Sequence, residues 1–166
     1  MRLFFALWPP RATAEALHEW AARVRSGGRV TRVETIHLTL AFLGEVDAGR
    51  PSILRNLRMK GEKHSLPIDQ ARYWKRNDIV WVGPRSIPQG LAALAADLKT
   101  FLRANQFRVE EREFAAHVTL IRKARDPGAL PELPPVQWPI DEFVLVRSRV
   151  SSAGPSYDVL QRYPLS

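Results

Sequence analysis

Short apolar runs and helix-spaced apolar positions take turns along the whole chain. Arg2 to Trp8 is a compact apolar run closed by Pro9-Pro10, the pattern of a buried strand. From Ala12 to about Arg25, Ala16, Leu17, Trp20 and Val24 recur at helical spacing, and Gly27-Gly28 ends the run. "VTRVETIHLTLAFLGEV" alternates β-branched residues before an apolar stretch and predicts a strand. Pro51 opens a short basic helix over Ser52–Lys60 that Gly61 stops. In the second half, "LPIDQARYW" and "DIVWVGP" predict two strands joined by a turn at Lys75–Asn77. "IPQGLAALAADLKTFLRANQF" carries Leu91, Leu94, Leu98, Phe101 and Leu102 on one face and predicts the clearest helix. "EFAAHVTLIR" predicts a strand, and the proline-rich stretch Pro127–Pro139 an extended loop. "IDEFVLVRSRV" and "YDVLQRYPL" predict two closing strands.

This order is too irregular for a doubly wound parallel sheet, and neither G-x-G-x-x-G nor a P-loop is present. It predicts an α+β chain of two similar lobes, with antiparallel sheets facing a central cleft and helices outside.

Each half contains the phrase His-x-Thr-Leu once, as "HLTL" at His37 and "HVTL" at His117. Residues two apart on a strand share a face, so His37 projects with Thr39 and His117 with Thr119. Leu38, Leu40, Val118 and Leu120 then face the core. Two lobes facing each other bring two imidazoles and two hydroxyls to one cleft. That set suits in-line displacement at phosphorus: one imidazole takes a proton from the attacking oxygen and the other gives one to the leaving oxygen. The hydroxyls can donate to non-bridging phosphate oxygens. Arg122 follows His117 by five residues, on the opposite strand parity, so it reaches the cleft as a phosphate contact only through a bend. His18 and His64 read as ordinary residues, on the solvent side of the first helix and in a loop beside Lys63.

Net charge changes the picture only in part. The chain has 166 residues and a formal charge of +8, from 20 Arg and 5 Lys against 17 acids. That excess favours a polyanionic partner such as RNA, and equally reflects an Arg- and Ala-rich codon bias. There is no Cys, which excludes a thiol nucleophile, a disulfide framework and Cys-ligated metal. No His/Asp/Glu cluster stands beside either motif, so neither a metal nor a cofactor is expected. The apolar start is too short for a signal peptide and no run could span a bilayer, which predicts a soluble cytoplasmic protein with no membrane partner.

At these motifs the chain resembles the two-histidine phosphoesterase superfamily, and within it the RNA 2′,3′-cyclic phosphodiesterases (LigT-like, first described as 2′-5′ RNA ligases). "RLFFALWPP", "HLTLAFLGEV", "HVTLIRK" and "SAGPSYDVLQRYPL" carry the likeness over nearly the whole length. The resemblance implies one bilobal phosphoesterase domain over residues 1–166 that hydrolyses an RNA 2′,3′-cyclic phosphate to a 2′-phosphate without metal, with 2′-5′ ligation as the reverse reaction. It makes His37 the proton donor and His117 the proton acceptor, with Thr39, Thr119 and Arg122 on the phosphate. Phe42 matches a base-stacking position, or is a core aromatic beside Leu43. Two departures stand near the second motif: Ala115-Ala116 where a basic residue and Pro are frequent, and Ile121 where a small residue is common. The alternatives are a non-catalytic RNA-binding module and a related enzyme acting on an ADP-ribose cyclic phosphate or 2′-5′ oligoadenylate. A monomer is expected, since two lobes of one chain complete one site.

Overall fold

The proline pair that closes the first apolar run also starts the first helix, because Pro10 presents its fixed φ at the N-cap. The computed structural model describes residues 1–166. Strand β1 (Arg2–Leu7) leads into α1 (Arg11–Ala22), then β2 (Arg29–Val30) and a 3-10 turn over Val33–Thr35. Strand β3 (Leu38–Glu45), the short helix α2 (Pro51–Arg55), β4 (His64–Ile68), β5 (Gln70–Trp74) and β6 (Ile79–Gly83) follow. Helix α3 (Gln89–Ala104), β7 (Val118–Arg122), β8 (Val136–Ile140), β9 (Glu142–Ser151) and β10 (Gly154–Pro164) complete the chain.

The fold is α+β and two-lobed, with every strand pairing antiparallel. One lobe carries β10-β9-β1-β3 and the other β7-β6-β5, with β2 paired to the end of β7 at Ile121 and Arg122. The two sheets join edge to edge through a single bridge, Leu38 opposite Val118. Those are the first residues of β3 and β7, so the strands run away from each other on either side of the bridge. A pseudo-twofold axis therefore passes through this pair. Antiparallel register about it sets His37 across from Thr119 and Thr39 across from His117.

Both motif strands carry a β-bulge at the same place. The pairing of β1 with β3 steps from Ala6–Thr39 to Phe5–Ala41, leaving Leu40 unmatched. The pairing of β6 with β7 steps from Trp81–Thr119 to Val80–Ile121, leaving Leu120 unmatched. The leucine of each His-x-Thr-Leu phrase is thus the extra residue. Both leucines stay in the core. A bulge inverts the alternation beyond it, so the fifth residue after each histidine returns to the histidine's face.

Beneath the sheets lies one continuous core that includes the fully buried Trp20, Trp138, Phe5 and Phe143. Helix α1 contributes Ala14, Leu17, Trp20 and Ala21, and α3 contributes Leu91, Leu94, Leu98 and Leu102. Burying Trp20 contributes about 4–6 kcal/mol on area alone, and its indole N–H donates to the Pro131 carbonyl at 3.2 Å. Each helix packs against the other half's motif strand: α1 lies on β7, and α3 on β3. The halves are interlocked by this exchange.

Some boundaries differ from the sequence reading. The motif histidines precede their strands by one residue, because regular pairing begins at the Leu38–Val118 bridge. The stretch read as one strand over Leu66–Trp74 divides at Asp69: β4 leaves the main sheet to pair with β8, so the end of the proline-rich connection is a strand. That pairing also makes His64 the first residue of β4 rather than a loop residue. No helix is long and apolar enough to cross a membrane.

Candidate active site

The register at the central bridge turns His37, Thr39, His117 and Thr119 to the side opposite Leu38 and Val118, and there they line a cavity of about 380 Å³. Arg29, Arg32 and Arg122 line it as well, and no carboxylate does. Tyr157 of β10 and the hairpin residues Ala153–Pro155 form the wall on one lobe; Asn77 and Ile79 form it on the other. Arg32 crosses the mouth and donates to the Pro155 carbonyl at 2.8 Å, tying the turn before β3 to the β9–β10 hairpin.

The two imidazoles are held alike. His37 Nδ1 lies 2.7 Å from the Thr35 carbonyl oxygen, and His117 Nδ1 lies 3.0 Å from that of Ala115. A carbonyl can only accept, so each Nδ1 carries the hydrogen and each neutral ring keeps its lone pair at Nε2. In both cases the acceptor stands two residues upstream of the histidine: Thr35 ends the 3-10 turn, and Ala115 lies just before β7. The tautomers are therefore set by local backbone, identically on the two sides of the axis.

Their surroundings are not identical. The Trp8 indole stacks on His37 with centroids 4.8 Å apart and planes 10° off parallel. Phe4 at 5.2 Å and Tyr157 at 5.3 Å complete an aromatic enclosure. His117 meets Trp74 at 4.9 Å and Trp81 at 6.1 Å, both strongly inclined. Burial pulls the His37 pKa down to about 4, against the opposing pull of the Thr35 carbonyl; Arg122 and His117 lower it further. Burial also lowers that of His117, with the Ala115 carbonyl opposing and the Arg122 and Arg112 guanidinium groups adding to the decrease. Both rings are neutral near pH 7.

The structure brings together five of the six residues singled out in the sequence: His37, Thr39, His117, Thr119 and Arg122. The bulge at Leu120 supplies the bend that Arg122 needs. The matching bulge at Leu40 turns Phe42 to the same face, but Phe42 does not line the cavity. It sits beside Phe4, with the Arg2 guanidinium 5.4 Å from its ring centroid. Trp8, Tyr157, Arg29 and Arg32 were not singled out. The only signal for the first two was an aromatic residue in the opening and closing segments; the arginines lie in a two-residue strand and a turn with no pattern of their own. No three His, Cys, Asp or Glu side chains are grouped as a metal site.

A model of the family "LigT like Phosphoesterase" matches the chain twice, over residues 7–81 and 82–157. The chain is 34% identical to an RNA 2′,3′-cyclic phosphodiesterase of Escherichia coli (strain K12), covering 99% of this chain and 97% of that protein. It is 31% identical to an RNA 2′,3′-cyclic phosphodiesterase of Thermus thermophilus, covering 99% and 90%. The crystal structure of E. coli LigT in apo form superposes with a TM-score of 0.90 at 33% identity, over 99% of this chain and 97% of that one. The E. coli protein has also been solved with 3′-AMP.

Proposed function

Because the chain belongs to the LigT-like phosphoesterase family, we propose that it hydrolyses the 2′,3′-cyclic phosphate at an RNA end to a 2′-phosphomonoester, with His37 as general acid and His117 as general base. The observation that carries this reading is the pair of identically tethered imidazoles in one carboxylate-free, arginine-lined cavity. The named activity of the similar bacterial proteins supports the substrate class.

In this mechanism His117 Nε2 takes a proton from water as the water oxygen attacks phosphorus. The bond from phosphorus to the 3′ oxygen breaks, and that oxygen receives the proton from His37 Nε2. Each cycle leaves His37 neutral and His117 protonated, and exchange with solvent resets both. The Thr39 and Thr119 hydroxyls donate to the non-bridging oxygens, and the Arg122 guanidinium neutralises their charge. Since burial holds His37 near a pKa of about 4, the substrate itself must restore its proton. An anionic phosphodiester beside the ring does this by favouring the imidazolium. Phe42 and Arg2, on the same sheet face beyond Phe4, would meet a nucleotide that extends out of the cavity. Ligation through a 2′-5′ bond is the same path reversed, with an RNA 5′-hydroxyl in place of water. We take residues 1–166 as one bilobal, monomeric unit, since the cavity draws its walls from both lobes.

The test is a short RNA ending in a 2′,3′-cyclic phosphate, incubated in EDTA with the wild type, His37→Ala and His117→Ala. A 2′-phosphate product lost in both variants supports the reading. Binding without turnover by the wild type would replace it with a non-catalytic RNA-binding role. Neither binding nor turnover would redirect the search to a small-nucleotide cyclic phosphodiester.

A further inference from the structure

His37 needs a proton in a place that resists charge. Its neighbours show what offsets that resistance. The cavity offers no carboxylate to pair with an imidazolium. Arg122 at the end of β7 and His117 just before it both disfavour it, and Glu34 beside the ring's anchor is exposed and faces Arg32 at 3.8 Å. What remains electron-rich around the ring is the Thr35 carbonyl, the two hydroxyls, and the aromatic rings of Trp8, Phe4 and Tyr157. Only Trp8 lies parallel and in close stacking.

Trp8 is also tied to the same short turn as the histidine. Its Nε1–H donates to the Glu34 carbonyl at 3.3 Å, while the next carbonyl, of Thr35, accepts from His37 Nδ1. One 3-10 turn therefore fixes both ring planes. From this geometry we infer that Trp8 is a positioning residue for His37: its face stabilises the imidazolium by a cation–π contact and holds Nε2 on the cavity. Indole is the side chain best suited to that contact, and its strength rises where water is excluded. His117 has no such stack, since Trp74 and Trp81 present inclined rings. The stack therefore gives the His37 imidazolium a stabilising contact that His117 lacks, offsetting part of the deeper burial that lowers its pKa. This rests on the acid role proposed above.

The experiment compares wild type, Trp8→Phe and Trp8→Leu. Leucine fills space without a π face, and phenylalanine keeps a smaller one. NMR titration of the His37 imidazole needs no substrate, so it judges the inference even if the cyclic-phosphate assay fails. The expected result is a His37 pKa lowered by about one unit in Trp8→Leu and by less in Trp8→Phe. The alkaline limb of kcat should move to lower pH by the same amount, with KM nearly unchanged. An unshifted titration in Trp8→Leu would overturn the inference. So would a pH-independent loss of kcat equal in both variants, which would reduce Trp8 to packing.

Discussion

Gly83, the last residue of β6, lies close against the backbone just before the second motif, and a single methyl group there tests how tightly that motif is held. A Cβ at Gly83 would lie 2.5 Å from the Ala116 carbonyl oxygen and 3.3 Å from the Trp81 ring. Ordinary contact begins near 3.4 Å, so about 0.9 Å must come from movement of backbone on one side or the other. The residue that must give way lies between Ala115, whose carbonyl anchors the imidazole, and His117 itself. Gly83→Ala should cost about 1–3 kcal/mol as overpacking. A misplacement approaching 1 Å at a catalytic group costs roughly 100-fold in rate, so kcat on a cyclic-phosphate RNA should fall by about that factor. Gly61→Ala is the matched control. Its Cβ would meet Leu165 Cδ2 at 2.6 Å, but that is the end of a side chain that can rotate, far from either histidine in the chain. It should lose a little stability and keep its activity. Urea unfolding and steady-state rates on both variants decide the matter. A Gly83→Ala protein with wild-type kcat would show that the close approach of β6 does not set the position of His117, and the reasoning would fail.

Because burial lowers both histidine pKa values, the unfolded chain binds more protons than the folded one just below the ordinary histidine pKa. Stability should therefore be intact above about pH 6.5 and decline as pH falls toward 4, by about 2–3 kcal/mol from His37; denaturant unfolding of His37→Asn should show a flatter profile. Arg122→Gln removes the cation that lowers both rings, so both imidazole titrations should move up by NMR while kcat/KM falls. Tyr163→Phe leaves the Leu54 carbonyl without the hydroxyl that donates to it at 2.7 Å, and should cost about 1–3 kcal/mol by thermal or urea unfolding without changing kcat.

The site was legible in the sequence where a short phrase carries its own geometry. His-x-Thr fixes which side chains share a face, and two copies of it imply two lobes meeting at one place. Arg122 and Phe42 were harder, because their orientation depends on a bulge at Leu40 or Leu120 that only cross-strand pairing reveals. Trp8 and Tyr157 were not legible at all. They meet His37 through long-range packing, Trp8 from just after β1 and Tyr157 from β10. The division at Asp69 was missed for a similar reason: β4 and β5 are nearly continuous in sequence, and only the partner strand β8 distinguishes them.

The near-twofold relation between the motifs sets a problem that local geometry alone cannot solve. A strictly symmetric pair of histidines would have equal proton affinities, and only a bound substrate could decide which ring gives a proton and which takes one. Two identical half-chains meeting at the Leu38–Val118 axis would be bound by that equality. A single polypeptide is not, because each lobe can vary its own aromatic lining: a parallel indole beside one ring, inclined indoles beside the other. Joining the halves in one chain thus does more than hold the cleft together. It lets two equivalent positions acquire different chemical surroundings, and so gives the cleft two distinguishable sides.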